Sequence, residues 1–355
     1  MNQSRSSPNI IVMGIGDGGI NAIDRIASFT SGDMTLVSID TDSQVLQASK
    51  ADLKIQIGKK LTNGRGTGGN VETGAQAAED AREKVEDLAR SADMVFLTSS
   101  FGGGTGTGAT PVIGSMCSEI GVLTVGVVTT PFPFEGTPRT ERAEGGIHKL
   151  EQSVDALIVV SNERLLESLP KDTSMIQAFA SADRVLQRGV QGISDLITRP
   201  GLINLDLADI RNVLQGVGRA VIGIGTGGGE EKAIEAGRQA LNNPLLEGGS
   251  IKGARRLILN ITGGEDLTLD EVREVAEFIR KSTGTETSMI FGAVVRENYS
   301  DEVIITLIAT DFGKNITDQE TEPPLNQSAI DFADLNVPAF LRKQYKNKSS
   351  NGNGT

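Results

Sequence analysis

The chain has no tryptophan, two tyrosines, one cysteine and one histidine among 355 residues. A single thiol, Cys117, cannot close a disulfide within the chain. With His148 as the only imidazole, neither a Cys/His zinc site nor a metalloprotease helix can be assembled. Any metal is therefore expected to be a hard ion on oxygen ligands, such as magnesium. Positive charge is also short: 34 Lys and Arg stand against 46 Asp and Glu, a formal charge of -12. Such a chain lacks the clustered cations that hold a nucleic-acid backbone, so no nucleic-acid partner is expected. Its apolar runs are only strand-sized, and the N-terminal "MNQSRSSPNIIVMGIG" contains no apolar stretch bounded by a cleavage site. A soluble, cytoplasmic protein without membrane insertion is the expectation. The basic segment "RKQYKNK" near the C-terminus is a weak signal for anionic lipid.

What the chain does contain is an alternation. "NIIVM" from Asn9, "TLVSID" from Thr35, "LKIQIG" from Leu53, "MVFLTS" from Met94, "LTVGVVTT" from Leu123 and "ALIVVS" from Ala156 are short apolar runs separated by helix-like stretches. This predicts an α/β fold with a parallel sheet and helices on both faces, and ligands in such sheets bind beyond the carboxyl ends of the strands. From Asp172 the period changes. Met175, Ile176, Phe179, Ala182, Leu186, Val190, Ile193 and Ile197 recur every three or four residues, which predicts one long connecting helix with an apolar face. "DTS" supplies its capping side chains and "TRPG" ends it. Four further strand-like runs follow, "AVIGIGTG", "RLILNITG", "SMIFGAVV" and "VIITLIAT", with helical stretches from about Glu230 and Thr268. They suggest a smaller α+β domain ending near Phe312. Beyond it, "KNITDQETEPPLNQSA" has the composition of a linker, and "IDFADLNVPAFLRKQY" reads as a docking peptide.

Two glycine-rich stretches fall at strand ends. The first, "GIGDGGINA", satisfies a dinucleotide fingerprint at Gly14, Gly16 and Gly19, with Asp40 about 20 residues on at the end of the next strand. Alone it favours an NAD-dependent enzyme. The second, "GGGTGTG" from Gly102, offers a run of backbone N–H groups beside the Thr105 and Thr107 hydroxyls, an arrangement suited to a polyphosphate. No Walker lysine motif is present, so phosphates would be held by main-chain amides, helix N-termini and magnesium. Close packing of helix on sheet accounts for one or two glycines in such a loop and is not expected to account for five.

At this point the chain resembles the tubulin superfamily, and in particular its bacterial cell-division branch, the FtsZ family. "GGGTGTG" is the family's signature loop, and "GINAIDRI", "ADMVFLT", "GVVTTPFPFEG", "VLQRGVQGISDLITRPGLINLDLADIRNVL", "NITGGEDLTLDEV" and "DLNVPAFLRKQ" follow in family order. The resemblance runs from about Asn9 to Phe312 and resumes in the tail. It implies a Rossmann-like GTP-binding domain at 1–172 and a central connecting helix at 173–200. An α+β domain carrying the catalytic loop would fill 201–313, followed by a linker at 314–333 and a docking peptide with basic tail at 334–355. GTP or GDP with magnesium would be the cofactors, with potassium as an accessory ion.

Site residues follow from the same resemblance. It puts Gly16, Asp17, Gly18, Gly19, Ile20 and Asn21 in the first phosphate loop, and Gly103, Gly104, Thr105, Gly106, Thr107 and Gly108 in the signature loop. Glu135 and Arg139 fall on the ribose side, while Phe179 stacks on guanine and Asp183 reads its N–H donors. Periodicity alone would make Phe179 core, and a helix-start location would make Asp206 and Asp209 caps. The resemblance instead implies that Asp206 and Asp209, with Asn204 positioning them, enter the next subunit's site and polarise the attacking water. Head-to-tail homopolymers would result. Leu335, Val337, Phe340 and Leu341, edged by Arg342 and Lys343, would bind membrane tethers and other division proteins at mid-cell. The chain departs from the family pattern at three places: Asp17 stands at a usual glycine, Arg184 follows the base reader, and Ser100-Phe101 precede the signature loop. They motivate a rival reading, a nucleotide-binding filament component with little hydrolysis.

Overall fold

A computed structural model describes residues 8–28, 34–199, 201–246, 251, 253–283, 287–296, 299 and 301–312. The linker and docking peptide expected beyond Phe312 lie outside the described residues. Ten strands form one sheet: β1 Ile10–Ile15, β2 Thr35–Asp40, β3 Leu53–Gln56, β4 Met94–Ser100, β5 Leu123–Thr129, β6 Ala156–Val160, β7 Gly218–Gly228, β8 Arg256–Gly263, β9 Ser288–Val295 and β10 Glu302–Thr310. Their order is β3-β2-β1-β4-β5-β6-β7-β10-β8-β9. The first six run parallel, and β1 pairs with both β2 and β4. The chain therefore reverses its winding direction between β1 and β4, which opens a crevice at their carboxyl ends. β10 is antiparallel to β7 and β8, so the second half is mixed. The halves meet along a seam of three residue pairs, Ala156–Gly218 to Ile158–Ala220.

Period-two alternation assigns the two faces. In β1, Ile10 and Val12 enter the core beneath the Gly16–Ala27 helix and the central helix, whereas Ile11, Met13 and Ile15 enter the core on the opposite side. Met94 and Phe96 of β4 share the first face, Val95 and Leu97 the second. All are buried, and each such side chain contributes roughly 1.5–3 kcal/mol by leaving water. Cys117 is buried in the second core, and burial pushes its thiol up to about 12, so no thiolate chemistry is available there.

The central helix spans Met175–Thr198. Ser174 accepts a hydrogen bond from the Gln177 N–H at 3.3 Å while Gln177 Oε1 accepts from the Ser174 N–H at 2.9 Å, a reciprocal cap. Its buried stripe, Ala178, Ala182, Leu186, Val190, Ile193 and Leu196, packs against both halves of the sheet. The apolar periodicity overreaches at the start of the helix. Met175 is 64% and Ile176 83% exposed, and the buried stripe begins only at Ala178.

Candidate functional site

Two helix N-termini converge at the crevice. The Gly16–Ala27 helix follows β1 directly, and the Thr105–Ile120 helix follows β4 after a short turn. Neither start has a side-chain cap, since the flanking residues are Ile15 and Gly104. Their first-turn N–H groups and positive dipole ends thus face one cleft of about 410 Å³. The two backbones nearly touch: a Cβ on Gly16, whose φ is +76°, would stand 2.9 Å from the Gly106 nitrogen. Geometry of this kind binds phosphate through the main chain.

Of the residues expected at the phosphates, Gly16, Asp17, Gly18, Asn21, Gly103, Gly104, Thr105 and Gly106 line the cleft. Gly19, Ile20, Thr107 and Gly108 do not. Ile20 is core, and Thr107 is buried with its hydroxyl accepting from the Gly102 N–H at 2.8 Å. Gly19 lies against the Thr98 carbonyl, and Gly108 against Val71 of the Val71–Glu79 helix. This corrects the expectation that packing explains only one or two glycines of the signature loop. Gly104 abuts Thr67 and Asn70, Gly106 abuts Ser99 and Ser100, and Gly108 abuts a carbonyl oxygen, while Gly102 needs φ +102°. Only Gly103 has open space where a Cβ would stand.

The rest of the cleft wall is polar and aromatic. Glu135 pairs with Arg139 at 2.6 Å and accepts from the Phe132 N–H at 2.9 Å, so the pair is anchored to a turn. Phe179 is 40% exposed at the cleft rather than core, edge-on to Phe132 with ring centroids 5.0 Å apart. Phe134 stacks on Phe132 at 5.1 Å. Asp183 lies beside Phe179 in the lining and accepts from Arg25 Nε at 3.0 Å. Burial raises the Asp183 carboxyl above its ordinary value; the Arg25 hydrogen bond and charge oppose that, and Asp17 adds to it.

Sequence reasoning missed other lining residues. Asn162 starts the Asn162–Ser168 helix, and its buried Oδ1 has no hydrogen-bond partner, an acceptor left free in the lining of the cleft. No periodicity or spacing singles it out. Asp40 and Asp42 also line the cleft, and Asp40 Oδ1 accepts the N–H groups of Thr41 at 2.6 Å and Asp42 at 3.0 Å. Burial raises the Asp40 carboxyl; the backbone bonds from Asp42 and Thr41 pull it down, and the charges of Asp17 and Asp42 push it further up. A raised folded-state value means the fold favours the protonated acid. That contribution to stability is present in acid, below the ordinary carboxylate value, and is lost as pH rises through the raised one. Asp40→Asn keeps an acceptor for both N–H groups, so it is expected to raise Tm at neutral pH and to give no gain below the ordinary carboxylate value. Thermal unfolding at the two pH values checks this.

Asp206 and Asp209 are not in this cleft. They follow the far end of the central helix, and from Asp183 to Thr198 that helix alone covers about 22 Å at about 1.5 Å per residue. Asp206 Oδ1 accepts from the Asp209 N–H at 2.9 Å, and Asp209 Oδ2 accepts from the Asp206 N–H at 3.3 Å, so the two cap the Leu207–Leu214 helix. Asn204 Oδ1 accepts from the Gly201 N–H at 2.7 Å. Asp206 is exposed at the helix start, and Asp209, half-buried, lies in its first turn. Arg184, one of the residues that depart from the family pattern, does not line the nucleotide cleft either.

Fold and cleft together define a polyphosphate-binding α/β protein with a long helix joining the ligand cleft to a second sheet half. The GTPase domain of the tubulin/FtsZ family matches residues 9–170, and the FtsZ C-terminal domain matches residues 218–313. An empty FtsZ dimer from M. jannaschii is 42% identical, with a TM-score of 0.83 over 87% of this chain and 89% of that one. A point mutant of FtsZ from the same organism is also 42% identical, with a TM-score of 0.82 over 86% and 91%. The chain belongs to the FtsZ family. CetZ2 from Haloferax volcanii, in a GTPγS-bound protofilament, shares the fold at 19% identity, with a TM-score of 0.72 over 87% of this chain and 95% of that one. Membership overturns the NAD-dependent reading of the first glycine loop. Its glycines answer to packing: Gly14 and Gly19 face each other, and Gly16 meets Gly106.

Proposed function

We propose that this chain is a magnesium-dependent GTPase that assembles head to tail into filaments, hydrolyses GTP between subunits and scaffolds the bacterial division ring. One observation carries the reading. The phosphate-binding cleft and the Asp206–Asp209 pair sit at opposite ends of the central helix, so one chain cannot bring them together, whereas two chains stacked end to end can. Exposed apolar residues at both ends support it: Met175 and Ile176 near the cleft, and Leu202, 66% exposed, on the loop before Asp206.

In this reading the N–H groups of both helix starts hold the phosphates and Arg139 and Glu135 the ribose. Phe179 covers the guanine, while Asp183 and the free Asn162 carbonyl take its donors. Arg25 steadies one Asp183 oxygen and leaves the other for the base. The incoming subunit's Asp206 and Asp209 orient water at the terminal phosphate, with Asn204 holding their loop, because phosphoryl transfer depends chiefly on positioning and charge. A magnesium ion fits this cleft. Asp17 and Asp42 line it and would supply one or two carboxylates to an ion otherwise held by phosphates and water. When bound, it neutralises phosphate charge. The domains expected at 1–172, 173–200 and 201–313 then act as nucleotide holder, connector and donor of the catalytic loop. The peptide around Leu335, Val337, Phe340 and Leu341 engages division proteins.

Phosphate release from GTP across a range of protein concentrations tests the reading. The expected rate per subunit is near zero when dilute and rises above a threshold. The rival, a binding filament component without turnover, is motivated by the Asp17 carboxylate in the cleft lining; nucleotide bound with no release at any concentration would favour it.

A further inference from the structure

A second cavity, of about 310 Å³, lies between the central helix and the sheet strands β8 and β10. Four arginines line it, Arg25, Arg184, Arg188 and Arg296, against one carboxylate, Asp195. Two of the four are ion-paired. Arg25 donates to Asp183 at 3.0 Å, and Arg296 donates to Asp195 at 2.6 Å, where Arg199 also binds at 3.1 Å. Arg184 and Arg188, one helical turn apart, have no ion pair or hydrogen bond among the described residues. Among the described residues, Tyr299 and Glu302 act on Arg188 through their charge, and neither forms an ion pair with it.

The orphaned groups are not confined to these two. Gln191 Nε2 and Arg296 Nε are buried donors without a partner, and Asn260 Oδ1 is a buried acceptor without one. All three residues line the same cavity. Native interiors leave few such atoms unmatched, and water can satisfy an amide but does not neutralise a guanidinium. Arg184 is exposed, but Arg188 is partly buried, and a partly desolvated cation beside another cation is costly unless an anion joins them. Burial chiefly pulls the proton affinity of Arg188 down; Tyr299 opposes it, the charge of Arg184 adds to it, and Glu302 opposes it again.

We infer that this cavity is a binding site for a small dianion, a phosphate- or carboxylate-bearing metabolite, held between Arg188 and Arg184 with the Gln191 amide donating a further bond. The volume is at the lower end of ligand cavities, which limits the occupant to a compact molecule. The site is separate from the nucleotide cleft and does not depend on the GTPase reading. It also gives a role to Arg184, which the nucleotide site leaves without one.

The test is calorimetric titration of the full chain, saturated with GDP, with inorganic phosphate and separately with succinate. Binding of either probe at up to millimolar concentration is expected, and the probe that binds assigns the chemistry. Arg188→Gln should weaken it at least tenfold, and the Arg184→Gln, Arg188→Gln double variant should abolish it, with GDP affinity unchanged. In thermal unfolding, Arg188→Gln without added anion should melt no lower than the parent, and only the parent should gain from the anion. Three results would overturn the inference: no heat with either probe, undiminished binding in the double variant, or release of GDP by the probe, which would place the anion in the phosphate loops.

Discussion

Asp209→Ala is expected to retain nucleotide affinity and to lose GTP turnover by about 100-fold or more, the scale seen when one preorganised electrostatic group is removed from a site. The carboxylate lies outside the cleft of its own chain, so binding should not sense the change. A purely structural role makes a different prediction. Asp209 accepts from the Asp206 N–H, and losing that half of an exposed cap costs about 1 kcal/mol at most and should leave turnover in the surviving folded protein. Asp209→Asn separates the two, since it keeps an acceptor for the cap and removes the charge. Its Tm should equal the parent's while its turnover falls. A mixing experiment adds a readout that no cap can produce. Asp209→Ala chains combined with chains that cannot bind nucleotide should recover turnover, because each interface takes the cleft from one subunit and the acids from the next. Normal turnover by Asp209→Ala alone would sink the assignment.

The second large effect separates packing from binding within the signature loop. Gly108→Ala is expected to cost about 3 kcal/mol or more of stability, the upper range for overpacking. Its Cβ would overlap the Val71 carbonyl oxygen and stand 2.8 Å from the Ala75 nitrogen, and backbone atoms of a packed helix cannot turn aside as a side chain can. Gly103→Ala should change stability by no more than about 0.5 kcal/mol, since nothing lies within 4 Å of its Cβ position and its φ is not positive. That same open space is the nucleotide cleft, so a methyl there should weaken GTP binding at least about tenfold, or about 1.4 kcal/mol. Thermal unfolding and nucleotide titration on both variants decide the matter. A stable Gly108→Ala, or a Gly103→Ala with parental affinity, would show that the loop is not divided this way.

The strands and the central helix were legible because their signals are local. Period-two alternation in "NIIVM" and the three-to-four repeat from Met175 state which side each residue takes before any partner is known. The switch from parallel to mixed pairing was not legible in that way. β7 joins β6 by three residue pairs only, and no residue in "AVIGIGTG" announces a neighbour 60 positions away. The candidate site divides along the same line. Glycine clusters at strand ends point to a ligand, yet whether a given glycine faces the ligand or a helix behind it depends on elements distant in sequence.

Sequence alone therefore determined the α/β class, the order of elements, the family resemblance and the scarcity of thiol and imidazole groups, because those depend on composition and short-range period. Tertiary structure decided that Phe179 is a cleft wall rather than core, that Asn162 offers a free acceptor, and that Arg184 belongs to a second, basic cavity. It also decided that Asp206 and Asp209 lie outside that cleft, beyond the other end of the central helix. Each of these is a question of which surfaces end up facing each other, and that is set by the packing of segments far apart along the chain.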